Sequence, residues 1–317
     1  MHRARATVAA GVLLAVLLAA SGCGGPTLRL RLNPELGATY DFTTTVDTTA
    51  QQTVMGQEVN STQTMRTVQE ARFERAEDGE SLVASTTYKS TSIEVKGTAG
   101  DLDVDLGGDG SMSDPMEAVS AALVGQSFTM TIAPNGRVTE LSGLDDMTDS
   151  ILASVDLPEA MKTMLRESLQ QMFGDTAMQS MMSQAFVALP SHDIAVGESW
   201  TADATVIGIL TRTTMTLVAV EDGIATITVA GSMQVDPDAG APGGMPFVSY
   251  DALSGSQTGT YQLEVATGML LRADITSDST ATMRFAVPGV ADEIADQMPP
   301  IPIVTTSTVT VEVNERE

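Results

Sequence analysis

The sequence predicts an α+β fold, mainly antiparallel β: a duplicated, curved, half-barrel-like sheet with amphipathic helices, at about residues 144–187, packed on its concave face. Three observations predict it. Alternating β-branched and aromatic residues fill most of the chain. Three local patterns recur in the same order. Between the two copies lies a block with helical rather than strand periodicity.

Alternation is clearest in three stretches. "TYDFTTTV" puts Tyr40, Phe42, Thr44 and Val46 on one side of a strand. "SFTMTI" does the same with Phe128, Met130 and Ile132, and "TVTVEV" with Val309, Val311 and Val313. The recurrence is in the turns. Leu36-Gly37-Ala38-Thr39-Tyr40 matches Val196-Gly197-Glu198-Ser199-Trp200, a glycine bend followed by an aromatic residue. Glu77-Asp78-Gly79 matches Glu221-Asp222-Gly223, and Asp-Gly between strand-like runs is a hairpin signal. "FTMTIAPNGRV" (128–138) matches "YQLEVATGMLL" (261–271), with Asn135-Gly136 or Thr267-Gly268 at the turn. The expected organisation is β-repeat one at 28–142, a helical insert at 143–189, and β-repeat two with a C-terminal strand at 190–317, together one composite domain.

In the insert, Pro158 suits a first helical turn and Gly174 a helix end. Met161, Met164, Leu165, Leu169, Met172 and Phe173 share one helical face between them. A second helix, capped by Asp175, carries Met178, Met181, Met182 and Phe186. A shorter helix is expected over Leu144 to Val155, and another from Asp114, which has capping-box spacing with Glu117. Ten of the 19 methionines lie between Met112 and Met182. Packing in the core is the default role for such a stripe. The ten stripe residues are also the candidate wall of a hydrophobic cavity, because methionine repacks around varied shapes. Thioether ligation of Cu(I) is the weaker alternative.

The N-terminus carries an address. His2, Arg3 and Arg5 precede an uncharged run, "VAAGVLLAVLLAA" (8–20), too short to span a bilayer comfortably. Residues 1–22 read as a secretory signal. Ala20-Ser21-Gly22-Cys23 resembles the lipobox of bacterial lipoprotein precursors, although leucine is commoner at the place of Ala20. The resemblance implies lipidation of Cys23, cleavage before it, and a short tether over 23–27. Gly24 stands where an inner-membrane retention aspartate would sit. The implied location is extracytoplasmic and membrane-anchored: the outer membrane in a diderm cell, the outer face of the cytoplasmic membrane in a monoderm one. Cys23 is the only cysteine, so no internal disulfide forms.

Composition removes whole classes of partner. A formal net charge of −25 repels nucleic acid and anionic headgroups, so acyl chains rather than charge must hold the membrane. Only Lys89, Lys96 and Lys162 represent lysine. Catalytic and metal chemistry find little support. His192 is the one histidine beyond the signal, and Asp193 adjoins it, but no G-x-S-x-G elbow occurs. Ser256 in "GSQTG" has its glycine one residue too close. One histidine and a lipidated cysteine cannot supply a zinc site. "DLDVDLGGDG" (101–110) opens like a calcium loop, but Leu106 stands in the place of the turn glycine and Met112 in that of the bidentate glutamate. Its alternating Leu102, Val104 and Leu106 suit an amphipathic strand. Asp145-Asp146 points in two directions around a helix, so it makes no glycosidase dyad and suits a helix N-terminus. No catalytic residue, metal or cofactor is expected.

Over most of the mature length, the chain resembles a family of bacterial lipoproteins without known function. The residues that carry the likeness are the lipobox cysteine, "LRLRLNPELGATYDF", "GQSFTMTIAPNGRVTELSGLD", "LPSHDIAVGESW" and "GSQTGTYQLEVATGMLLRADI". The architecture is similar in outline to half-barrel lipid-binding lipoproteins. The expectation is a non-enzymatic lipoprotein that binds a lipid or other hydrophobic ligand between sheet and helices. Its alternatives are a cell-envelope interaction or structural module with a filled core and, last, a hydrolase using His192. Replacing Cys23 with serine is expected to move the protein from the membrane pellet to the soluble fraction on immunoblots of fractionated cells; continued pelleting refutes the anchor.

Overall fold

A computed structural model describes residues 27–54, 57–99, 102–104, 120–154, 166, 188–206, 208–236, 248–285 and 300–316. Cys23 and the two methionine stripes at 161–173 and 178–186 lie outside these residues, as do most of the expected helix from Asp114 and the acidic loop beyond Val104.

Among the described residues, twelve strands form one antiparallel sheet: β1 (Thr39–Val54), β2 (Gln57–Arg75), β3 (Leu82–Ala99), β4 (Leu102–Val104), β5 (Ser127–Ile132), β6 (Val138–Ser142), β7 (Ser199–Val206), β8 (Ile209–Glu221), β9 (Ile224–Val235), β10 (Val248–Glu264), β11 (Leu270–Phe285) and β12 (Ile301–Arg316). Their order is β6-β5-β3-β2-β1-β12-β11-β10-β9-β8-β7, with the short β4 paired to β3. β6 and β7 end this path without pairing to each other, so the sheet is open. Each half is a five-strand meander, and β12 joins them by pairing with β1 on one side and β11 on the other. The three recurring patterns occupy equivalent points of the two meanders: the start of the first strand, the second turn, and the last turn. Their glycines at 37 and 197, 79 and 223, and 136 and 268 all have positive φ, which only glycine adopts without a steric penalty.

The side-chain alternation has a cause visible in the burial. Tyr40, Ala71, Phe73, Leu82, Ala84, Phe128, Met130 and Ile132 are buried from one meander. Trp200, Met215, Leu217, Ile227, Val229, Leu263, Ala273 and Ile275 are buried from the other. All belong to one connected core on one face of the sheet. That core is confined to one end of the long strands, where the β2–β3, β5–β6, β8–β9 and β10–β11 turns gather. Residues 27–35 cross this end and seal it. Leu28 and Ile194 exchange both backbone hydrogen bonds at 2.9 Å, and Leu30 and Leu32 are buried. The Leu32 amide donates to the Pro134 carbonyl (2.9 Å) in the β5–β6 turn. The next amide, of Asn33, donates to the Thr267 carbonyl (2.6 Å) in the β10–β11 turn.

Those two bonds exclude a flat sheet. β5 and β11 are five places apart, about 24 Å at ordinary strand spacing. Adjacent amides place the two accepting carbonyls within roughly 10 Å of each other. The sheet must therefore roll at this end. Two further bonds link its edges: the Leu189 amide donates to the Asn135 carbonyl (3.0 Å), and the Trp200 indole donates to the Ala188 carbonyl (2.6 Å). Strand glycines ease the roll in β10. A Cβ on Gly255 would meet the Asp278 carbonyl, the Met233 methyl and Ser279, and one on Gly259 would collide with the Asp274 carbonyl.

Helical content differs from the expectation in extent. Among the described residues it comprises 120–123, Arg166 and one full helix, α1 (Leu144–Ser154). The established fold is thus mainly antiparallel β; apart from Arg166, the rest of the 144–187 insert lies outside the described residues. α1 starts after Gly143 (φ 87°) with Asp145 and Asp146 in its exposed first turn, favourable to the helix dipole. It buries Leu144, Met147, Thr148, Ile151 and Leu152, the spacing of one helical face. Leu144, Met147 and Ile151 join the sheet's core.

The opposite face of the sheet carries the charges. Arg316 bridges Asp41 and Glu70, each at 2.6 Å, and Arg272 bridges Asp274 and Glu312, each at 2.6 Å. Arg212 makes a two-pronged contact with Asp203. Hydrogen bonding from Arg212 and Arg272 holds the Asp203 and Asp274 carboxyls below the usual aspartate range. Both pairs are well exposed and stabilise the fold only slightly.

Two predictions follow from this construction. Phe73→Ala, at a fully buried position, should cost about 3–5 kcal/mol in urea melts, whereas Val304→Ala on the exposed face should stay within about 0.5 kcal/mol. Because the Asp203 and Asp274 carboxyls are depressed in the folded state, their contribution is present above the unfolded aspartate value and disappears as pH falls through the folded one. Stability should therefore fall more steeply between about pH 5 and about pH 2 in the wild type than in a D203N/D274N double variant, measured by urea melts across that range.

Candidate functional site

Beyond the sealed end, the core face continues as tiers of paired residues, since partners in an antiparallel ladder point the same way. The first tier reads Ile93, Met65, Val46, Val309, Ile275, Gly259, Val229, Met215 and Trp200 from β3 to β7. It is apolar throughout; Ile275, Val229, Met215 and Trp200 belong to the packed core and Val309 packs against it. The second tier reads Val95, Gln63, Thr48, Ser307, Ser277, Gln257, Gly231, Thr213 and Ala202. The third reads Gly97, Ser61, Ala50, Thr305, Ser279, Gly255, Met233, Thr211 and Ala204. The fourth turns apolar again, with Val59, Ile303, Ala281, Leu253, Val235 and Ile209 around Gln52.

This sequence of side-chain sizes makes a trough. Aliphatic, aromatic and methionine side chains dominate the first and fourth tiers, and serine, threonine, glycine and alanine dominate the two between, which also hold Val95, Gln63, Gln257 and Met233. Successive tiers are about 7 Å apart along a strand, and nine strands span about 40 Å across. Apart from the exposed Gln63, the side chains of the second and third tiers are partly buried, while the residues alternating with them, such as Asp47, Thr49, Ser256, Asp278 and Thr306, are exposed. No Asp, Glu, Lys or Arg occurs in the four tiers. Thr48 and Ser307 share a hydrogen bond of 3.1 Å within the second tier.

Nearer the sealed end, the same face holds neutral polar groups under burial. Burial pushes the Tyr88 and Tyr261 phenols up, so both stay protonated at neutral pH. The buried hydroxyls of Thr86 and Thr91 have no hydrogen-bond partner among the described residues. Such orphaned groups are costly and mark places where a polar atom is missing.

The residues singled out by sequence fall as follows. The ten cavity candidates, Met161 to Phe186, and the lipidation site Cys23 lie outside the described residues. His192 is exposed in the loop before Ile194, at the sealed end. Its neighbour Asp193 pairs with Arg29 at 3.4 Å. Ser256 faces outward from the middle of β10, about 25 Å along the strand from that end, so the structure does not bring it to His192. Leu102 to Val104 form the strand β4. Among the described residues no group of three His, Cys, Asp or Glu is placed to hold a metal, and no helix is long and apolar enough to cross a membrane. Sequence reasoning missed the tiers altogether. Their signal lay in the Thr- and Ser-rich middles of the long strands, but only the register aligns those middles across nine strands.

Comparison with known proteins adds little chemistry. No curated protein matches the chain. Among solved structures, one describing lipid–protein interactions in lipovitellin is similar at 8% identity and a TM-score of 0.47, covering 88% of this chain and 26% of that one. The translocator domain of the autotransporter NalP from Neisseria meningitidis is similar at 6% identity and a TM-score of 0.22, covering 89% and 90%. The chain thus spans about a quarter of the lipovitellin chain. A family model matches residues 80–270, from the second turn of the first meander to the start of β11, and the chain therefore belongs to that family, a family of unknown function, DUF6263.

Proposed function

We propose that this protein is a membrane-anchored extracytoplasmic lipoprotein that binds a lipid or other hydrophobic ligand on the core face of a half-barrel sheet, between sheet and helices, without enzymatic activity. The observation that carries the reading is the fourth tier. Val59, Ile303, Leu253, Val235 and Ile209 point to the core side, lie outside the packed core and stay only partly buried. An apolar surface in that condition is characteristic of a binding site rather than of a finished interior.

The anchor and the trough have a geometric relation. Cys23 precedes Thr27, where the described chain begins, by four residues, a reach of at most about 14 Å. An acyl group on Cys23 would therefore hold the sealed end close to the bilayer and leave the trough facing away from it. β2 alone is 19 residues long, about 60 Å. A ligand would be presented at a distance from the membrane that anchors its carrier.

One observation favours a second reading, an envelope interaction or structural module. α1 inserts Leu144, Met147 and Ile151 into the core and completes part of it. A hydrolase gains no support from His192, exposed beside an aspartate already engaged by Arg29.

The test uses the full chain carrying Cys23→Ser, recovered from the soluble fraction and extracted with organic solvent for mass spectrometry. A lipid near one-to-one stoichiometry is expected, and Leu253→Trp with Ile303→Trp should lower its occupancy severalfold. An empty protein, or occupancy indifferent to the two tryptophans, would favour the filled module.

A further inference from the structure

We infer that the ligand is an uncharged amphiphile bearing hydroxyl or ester oxygens, which the second and third tiers hold by hydrogen bonds while the fourth tier takes its hydrocarbon. This rests on the ligand-binding reading above and narrows it to a chemical class. Two features of the trough select that class.

The first is the absence of ionic partners. Among the described residues of the long strands, the charged side chains line the other face of the sheet, where Arg272, Arg212 and Arg316 are already bridged to carboxylates. A phosphate or carboxylate placed among the four tiers would lose water and find no cation there. Desolvating a charge without a partner is far more costly than desolvating an alcohol or ester. A uniformly apolar hydrocarbon is disfavoured from the other side, because it would cover hydroxyls and leave them unsatisfied.

The second feature is the supply of neutral donors and acceptors at the right height. Thr48, Ser307, Ser277 and Gln257 follow one another across four adjacent strands in a single tier, and Thr213 stands beyond Gly231 in the same tier. A hydroxyl both donates and accepts, so this tier matches alcohols and ester carbonyls alike. Gly231 and Gly255 bring no side chain of their own to these tiers; the Thr213 hydroxyl lies close to the first and the Met233 methyl to the second. Curvature alone would account for small residues on a crowded inner face, but alanine and glycine serve that purpose as well as serine and threonine. The hydroxyls are what curvature leaves unexplained.

The experiment measures binding of three fluorescent probes to the full chain carrying Cys23→Ser: a diacylglycerol labelled at an acyl terminus, the phosphatidic acid with identical acyl chains, and a labelled long-chain alkane. The diacylglycerol should bind at least about tenfold more tightly than either of the others. A variant with Thr48→Val, Ser277→Ala and Thr305→Val should lose most of the preference over the alkane while still binding the alkane. Thr306→Val, on the exposed face, should change nothing, and unchanged thermal melting will verify that both variants fold. Equal binding of phosphatidic acid and diacylglycerol, or a preference that survives the triple substitution, overturns the assignment and leaves hydrophobic binding standing. Failure of all three probes to bind overturns the ligand-binding reading itself.

Discussion

Two consecutive backbone amides, those of Leu32 and Asn33, hold this structure in its shape. One bonds to the turn between β5 and β6 and the other to the turn between β10 and β11. Strands that hydrogen bonding along the sheet sets five places apart are thereby gathered at one end. A twisted sheet of eleven consecutive strands has no intrinsic reason to stop at this curvature. The crossing segment supplies one, and it buries Leu30 and Leu32 in the process. Gly268 shows how close the approach is: any Cβ there would strike the Arg31 carbonyl. Leu189 and Trp200 then tie the two edge regions without pairing the edge strands.

Rolling one end of a sheet of long strands has a consequence for the other end. The same alternation that buries Phe73, Leu217 and Ile227 continues up the strands, but the enclosing turns and the crossing segment do not follow. Core-side residues pass from buried to partly buried within a few pairs, and their chemistry changes with them, from aromatic and aliphatic to hydroxyl and glycine and back to aliphatic. Among the described residues, the four tiers of this face carry no charge, which is concentrated on the opposite face, where exposed ion pairs contribute little to stability. The large negative charge of the chain is thus compatible with a neutral inner surface. The two properties occupy alternate residues of the same strands.

Much of the fold was legible because it depends on local rules. Period-two alternation located the faces of β1, β5 and β12 correctly, and Asp-Gly, Asn-Gly and Thr-Gly marked turns that the structure places at equivalent positions in both meanders. Leu144 to Ser154 became the helix that its spacing predicted. The candidate site was less legible. The methionine stripes, the expected ligand wall, lie outside the described residues, and the face proposed to take a ligand comes from the threonine-rich strand middles. In sequence those middles look like ordinary solvated strand. Gln257 and Thr48 are 209 positions apart, and nothing local to either indicates that they share a tier.

By itself, then, the sequence determined the strand faces, the turns and the polarity of each side, because each follows from neighbours a few residues away. The tertiary structure alone decided that the sheet is open, that residues 27–35 seal one end of it, and that a band rich in serine, threonine, glycine and alanine lines up across nine strands as a trough. Those outcomes depend on register between strands and on bonds between distant turns, and neither leaves a trace in any short stretch of the chain.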